Sequence, residues 1–248
     1  MNKDTVRVFL LWLALTALGE LLVLRLNLFP LAAADEAVIV DRAFRTLLVL
    51  AVPVFVFVLV TLGYSVLRFR SRGQPEQDGP PVRIHKPWVV FWLVWTTALT
   101  LLVIVHPGIT GMRELHMKAA EPVDLVVKAE GGRWFWRVTY PELGVTTTDE
   151  IVLPVGKHVR FDVSAMDVLH SFWIPAFRIK IDAVPGMVTR IDATPTQLGS
   201  FNEDAQMRLQ CAELCGLAHA QMTVPLRVVS QAEFEAWIAT QSRQARNP

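Results

Sequence analysis

Hydrophobic positions along this chain fall into two regimes: long unbroken runs in the first half and short alternating segments in the second. Val8–Leu24 is almost wholly apolar, with Lys3 and Arg7 ahead of it and Glu20 inside it. Two readings fit residues 1–28. One is a secretory signal, because Ala32-Ala33-Ala34 resembles a small-residue cleavage site. The preferred one is a retained transmembrane helix, since the run approaches the roughly 20 residues needed to cross a bilayer. Glu20 is costly in lipid and is expected to face a protein neighbour or lie near the interface. A polar connector over Phe29–Ala43, carrying Asp35, Glu36 and Asp41, leads to the strongest membrane signal, residues 44–67. That stretch has no charge except Arg45 at its edge, and Pro53 is a predicted kink. Residues 68–87 read as a basic loop with Arg68, Arg70, Arg72, Arg83 and Lys86. Residues 88–106 are a further span with Trp88, Trp92 and Trp95 near one end. An excess of positive charge keeps a loop cytoplasmic, so span 44–67 runs inward and span 88–106 outward. The C-terminal half of the chain then lies outside, in the periplasm if the cell is a bacterium. His106-Pro107-Gly108 is expected to end the last span, and Ile109–Pro122 to link it to a domain over residues 120–242.

From Val123 the apolar period becomes two. Val123–Ala129, Arg133–Tyr140, Lys157–Ser164, Val188–Ala193, Met207–Gln210 and Val224–Val229 read as short strands between turn residues. Short strands without helical runs between them imply a sandwich or barrel. Ser230 followed by Glu233 forms a capping box that opens an amphipathic helix through about Ser242. The predicted class is therefore membrane-anchored all-β: two or three N-terminal transmembrane helices, then a β-sandwich.

Composition narrows the chemistry. A net charge of +1 over 248 residues and the lack of a basic aromatic patch give no case for a nucleic-acid partner. No CxxCH motif is present, so covalent haem is not expected. The two cysteines, Cys211 and Cys215, are too few to staple a domain of this size. Their role is chemical.

Both cysteines lie in Gln210–Met222, where His219 and Met222 follow them and Glu213 sits between them. A further candidate ligand, His170, stands upstream in Asp167-Val-Leu-His. Two thiolates, imidazoles and a thioether make a soft donor set suited to copper. Three plainer readings compete. The spacing also fits one buried helix face, although Gly216 and Pro225 argue against a long helix. A disulfide suits an oxidising compartment but leaves His219 and Met222 unexplained. Zinc takes Cys and His readily and has no use for Met222.

Cys-Ala-Glu-Leu-Cys-Gly-x-x-His-x-x-Met, preceded by Asp-Val-Leu-His, resembles subunit II of the haem–copper cytochrome c oxidases, across most of the chain. The resemblance implies a cupredoxin-like domain with a dinuclear copper A centre bridged by Cys211 and Cys215. It assigns His170 and Met222 to one copper, and His219 with the Glu213 carbonyl to the other. The Glu213 side chain is implied as a magnesium ligand at the interface with subunit I. Trp134, in Trp134-Phe135-Trp136, is implied as the residue through which cytochrome c delivers its electron; in a strand it shares a face with Trp136, expected to be core. Other partners implied are the haem-bearing subunit I, further oxidase subunits and the lipid bilayer, with the protein multi-pass in the inner membrane. Asp167 is open between orienting the loop, acidic docking and stabilising a turn. His85, His106, His116 and His158 are expected in local hydrogen-bonding or surface roles.

Some positions depart from the family pattern. Asp182-Ala-Val-Pro-Gly186 is followed by Met187 where the family carries arginine, unless Arg190 or Lys180 compensates. His85-Lys86-Pro87 stands where many members carry a glutamate. Two other functions stay open: the equivalent subunit of a copper A nitric oxide reductase, and a membrane-anchored copper chaperone. The chain is too short to hold the extra catalytic domain of a nitrous oxide reductase.

Overall fold

The computed structural model describes residues 3–70, 73 and 84–244, and its chain separates into two compact units. Arg72 and Arg83 of the expected basic loop lie outside the described residues. The first unit, Met1–Leu28 with Arg42–Met112, is helical. It contains α1 (Lys3–Arg25), most of α2 (Asp35–Arg68) and α3 (Lys86–Val103). Long leucine, valine and phenylalanine runs give helices whose apolar side chains stay exposed, as in a segment whose solvent is lipid. Three helical stretches, Lys3–Arg25, Asp35–Arg68 and Lys86–Ala119, are long and apolar enough to cross a membrane. Trp12 Nε1 donates to the Pro53 carbonyl at 2.8 Å, and Tyr64 donates to Asp4 at 2.6 Å, so α1 and α2 run antiparallel. Glu20 is half-buried, with its Oε2 unpaired.

Two boundaries differ from expectation. The second helix begins at Asp35 rather than Phe44, because Asp35 and Glu36 occupy its first turn, where carboxylates favour the helix dipole. The third does not stop at His106-Pro107-Gly108. It bends through Ile104–Ile109, where His106 leaves helical geometry (φ −139°), and resumes as α4 (Thr110–Ala119). The bend sits at a proline, the usual cause. Thr110 rebuilds the turn by bonding the His106 ring at 2.9 Å.

The second unit, Phe29–Asp41 with Arg113–Pro248, is a β-sandwich. One sheet runs β3 (Val145–Thr147), β2 (Phe135–Tyr140), β1 (Leu125–Gly132), β5 (Val159–Ala165), β8 (Thr189–Ala193). The other runs β4 (Ile151–Pro154), β11 (Thr223–Val229), β10 (Arg208–Cys211), β6 (His170–Ile174), β7 (Ile179–Ala183), with β9 (Gly199–Ser200) also paired to β11. The alternation read from the sequence is the alternation of burial. Val159, Phe161 and Val163 point inward on β5, and Val224, Leu226 and Val228 on β11. Between the sheets, Phe172 packs its ring against Phe161 (5.0 Å) and edge-on to Trp136 (5.9 Å). Helix α5 (Gln231–Gln244) opens on the predicted capping box: Glu233 accepts from the Ser230 amide at 2.9 Å and Ser230 from the Glu233 amide at 3.3 Å. Its Phe234 and Trp237 close the sandwich over Tyr140. The expected class, apolar N-terminal helices followed by a β-sandwich, is the observed one.

The connector between α1 and α2 is part of this sandwich. Ala33 and Ala34 are fully buried; Ala33 donates to Ala176, accepts from Thr196, and Ala34 bridges Pro195. The small residues that resemble a cleavage site thus have a packing role. Arg178, in left-handed conformation (φ 55°), holds Asp41 through Nε and Nη2 (2.9 and 3.1 Å) and the carbonyls of Pro30, Leu31 and Pro175 at 2.7–2.9 Å.

Candidate metal centre

The candidate ligands are delivered by two neighbouring strands and the loop that joins β10 to β11. Cys211 ends β10, directly opposite Phe172 of β6, whose first residue is His170. His170 comes shortly after β5 and is the first residue of β6, so its backbone is set in the ladder. Met222 stands just before β11, and its carbonyl accepts from the Cys211 amide at 3.0 Å, closing the loop that carries Cys215 and His219. Inside the loop, the His219 amide donates to the Gly216 carbonyl at 3.2 Å and the Met222 amide to that of His219 at 3.2 Å. The loop is therefore held by its own backbone and not as one long helix face.

The predicted side chains converge. Cys211 Sγ and Cys215 Sγ are 3.8 Å apart and unbonded, almost twice the roughly 2.05 Å of a disulfide. His170 Nδ1 lies 3.8 Å from Cys211 Sγ, His219 Nδ1 3.5 Å from Cys215 Sγ, and Met222 Sδ 3.9 Å from Cys215 Sγ. The Glu213 carbonyl is 3.2 Å from Cys211 Sγ, while the Glu213 side chain is exposed. The ligand atoms of His170, Cys211 and Cys215 all lie within 4.8 Å of one another. His170 and Met222 are wholly buried, and both thiols nearly so. Burial pushes the Cys215 thiol up to about 11, and the neighbouring Cys211 adds to the shift. A metal binding there displaces a proton, so its affinity falls as pH falls.

The surroundings orient the ligands. The outer nitrogen of His170, Nε2, bonds Asp167 Oδ1 at 2.9 Å, which leaves Nδ1 toward the sulfurs. Of the roles open for Asp167, orientation is the one its contacts show. Asp167 also accepts from the Val168 amide (2.7 Å), the Arg133 amide (2.9 Å) and Arg133 Nε (3.1 Å). Burial opposes the Asp167 anion, but these bonds, that of His170 foremost, outweigh it and hold the carboxyl well below the usual range. Gly131 of β1 lies against the imidazole; a Cβ there would stand 3.0 Å from His170 Cδ2. A glycine pair at the end of an otherwise well-filled strand was the available signal for this close approach, and sequence reasoning missed it.

Trp134 falls in the turn ahead of β2 and not in the strand, so it does not share the strand face of Trp136. It is 38% exposed, lies over Gly216 (φ 119°), and donates from Nε1 to the Cys215 carbonyl at 3.2 Å. Trp136 is fully buried, edge-on to His170 at 6.1 Å. Met187 is exposed, and Arg190 pairs with Asp162 at 3.1 Å. His158 bonds the Pro122 carbonyl, a local role as expected.

Residues 143–229 match the family described as "Cytochrome C oxidase subunit II, periplasmic domain". Cytochrome c oxidase subunit 2 of Thermostichus vulcanus is 31% identical, over 85% of this chain and 77% of that protein. The chain belongs to the cytochrome c oxidase subunit 2 family. Other members include the subunit 2 of Alkalihalophilus pseudofirmus, 30% identical over 85% of this chain and 60% of its own length. A probable subunit 2 of Rickettsia felis is 32% identical over 81% and 67%. Among solved structures, the periplasmic domain of subunit II of cytochrome oxidase from Bradyrhizobium japonicum is 33% identical, covering 50% of this chain and 97% of that one, with a TM-score of 0.46.

The donor set fits the copper that this family implies. Sulfurs, imidazole Nδ1 atoms, a thioether and a carbonyl face one another at 3.2–3.9 Å, a concentration of soft lone pairs that a pair of cations would satisfy.

Proposed function

We propose that this protein is the electron-accepting subunit of a respiratory cytochrome c oxidase, holding a dinuclear copper A centre and passing electrons to haem in subunit I. The single observation that carries the reading is the convergence of His170, Cys211, Cys215, His219 and Met222 from two strands and one loop onto one spot. When bound, the two coppers supply a one-electron couple shared between them. Cys211 and Cys215 would hold the ions through their sulfurs, and His170, Met222, His219 and the Glu213 carbonyl would complete their coordination. Because the cluster is built from strand ends and a backbone-braced loop, its ligands have little freedom to move when charge changes, which keeps reorganisation small.

Trp134 is the point of electron uptake from cytochrome c. Its half-exposed ring meets solvent on one side and bonds the Cys215 carbonyl on the other, a short route to a bridging sulfur. The exposed carboxylate of Glu213, on the residue whose carbonyl faces inward, holds magnesium at the contact with subunit I. The apolar helices anchor the chain as a multi-pass protein of the inner membrane, the sandwich on the periplasmic side.

The full chain is the proper sample, because Phe29–Asp41 belongs to the sandwich. Solubilised in detergent and loaded with copper, it should bind two coppers and show an EPR signal of one electron divided over both nuclei. A single mononuclear copper signal, or a zinc-binding colourless protein, sinks the assignment.

A further inference from the structure

Arg133 has no place among the ligands, yet it spends two donors on the carboxylate that orients one of them. Asp167 divides its oxygens: Oδ1 faces His170 Nε2 and the Val168 amide, while Oδ2 takes the Arg133 amide and guanidinium. Among the described residues Asp167 is the sole ion-pair partner of Arg133. Arg133 also precedes Trp134 directly, so one turn carries both the exposed ring over the Cys215 loop and the cation behind His170.

We propose that Arg133 tunes the reduction potential of the metal centre through Asp167 and His170. It acts as a positioning residue, and the proposal rests on the copper reading above. A carboxylate facing an imidazole N–H draws that proton and makes Nδ1 a stronger donor, which favours the more highly charged, oxidised metal. The guanidinium on Oδ2 withdraws charge from the same carboxylate and weakens that pull. Its own positive field acts in the same sense, favouring the reduced centre. Both effects raise the potential. The side chain is half-exposed, so solvent and salt screen part of this influence.

The test is the midpoint potential of the copper-loaded full chain, followed optically, with nitrogen couplings to the histidines read by pulsed EPR. Arg133→Ala should keep both coppers and the shared-electron signal, lower the potential, and alter one histidine coupling. Arg133→Lys, which keeps a cation in reach of Oδ2, should restore most of the potential. In an Asp167→Asn background Arg133→Ala should have far less effect, because the relay is already cut. An unchanged or raised potential in Arg133→Ala overturns the proposal; so does an equal drop in both backgrounds, which would mean a direct field and no relay. If Asp167→Asn loses its copper, Arg133→Gln against Arg133→Lys decides, since only loss of the cation should lower the potential. Absence of the shared-electron signal in the unmodified chain overturns the copper reading and this proposal with it, whereas an intact signal with an indifferent potential overturns this proposal alone.

Discussion

Among the polar clusters of the β-sandwich, the one around Arg178 and the one around Cys211 are finished in opposite ways. At Arg178 the five guanidinium hydrogens meet five acceptors: both oxygens of Asp41 and three backbone carbonyls. Nothing is left over, and the cluster ties the connector Phe29–Asp41 to the β6–β7 corner. Around Cys211 the balance is reversed. Sulfurs, Nδ1 atoms and a carbonyl crowd together with fewer hydrogens than lone pairs to share among them. Saturated polar chemistry is structural, because every group is at its lowest energy without help. A surplus of converging lone pairs calls for a cation from outside.

That contrast breaks most visibly at the sulfurs. Cys215 contacts Cys211, His219 and Met222 at once, so Cys215→Ser should abolish the shared-electron EPR signal altogether. The metal-free fold should barely change, because serine fits the space and no disulfide is lost. Thermal unfolding of the metal-free protein checks the second half. Arg178→Ala should do the reverse. Leaving Asp41 and the Pro30 and Leu31 carbonyls without the guanidinium in a nearly buried setting costs about 3–5 kcal/mol, read as a lower unfolding midpoint of the sandwich; the Pro175 carbonyl keeps the backbone amide of residue 178. Folded Arg178→Ala protein should still give the full copper signal, and Arg178→Lys should not rescue stability, since one ammonium cannot span five acceptors. Loss of the signal from fully folded Arg178→Ala protein would erase the distinction between the two clusters.

The two clusters were unequally legible in the sequence. Gln210–Met222 stood out because soft ligands are rare residues and their spacing is local; only His170 had to be supplied from elsewhere. The strands that hold Leu125, Val159 and Val224 were readable, within about two residues at their starts, because one face is buried and alternation survives. The strands that went unread, β3, β4, β6, β7 and β9, have two to five residues each, but length alone did not decide, since β8 and β10 are as short and were read. Ile151–Pro154 is buried at every position, so it has no alternation to show at all. Arg178 and the connector were invisible for a different reason. Asp41 and Arg178 are 137 residues apart, and a polar stretch such as Phe29–Ala43 reads as solvated linker until its partner is known. Arg133 matters only through its contact with Asp167, which no local pattern encodes.

A third polar contact, set at the surface, should give the smallest effect and so completes the scale. Asp124 accepts from the His158 amide at 2.9 Å and pairs with Lys157 at 3.4 Å. The amide of His158 is the main cause that holds the Asp124 carboxyl below its ordinary range, with Lys157 assisting against a small opposing effect of burial. Because the folded value is depressed, the contribution is present at neutral pH, above the unfolded value of about 4, and is lost as pH falls through the folded one. Asp124→Asn keeps an oxygen to accept from His158 but cannot be protonated. Relative to the unmodified chain, its unfolding midpoint should be slightly lower at pH 7, and the gap should close as pH falls below about 4. Solvent around the exposed carboxyl screens most of the interaction, so the gap should be far smaller than that of Arg178→Ala. A gap that stayed constant with pH would assign the effect to the lost shape of the carboxylate and not to its charge. A gap as large as that of Arg178→Ala would show that burial is not what separates the strong contacts of this domain from the weak.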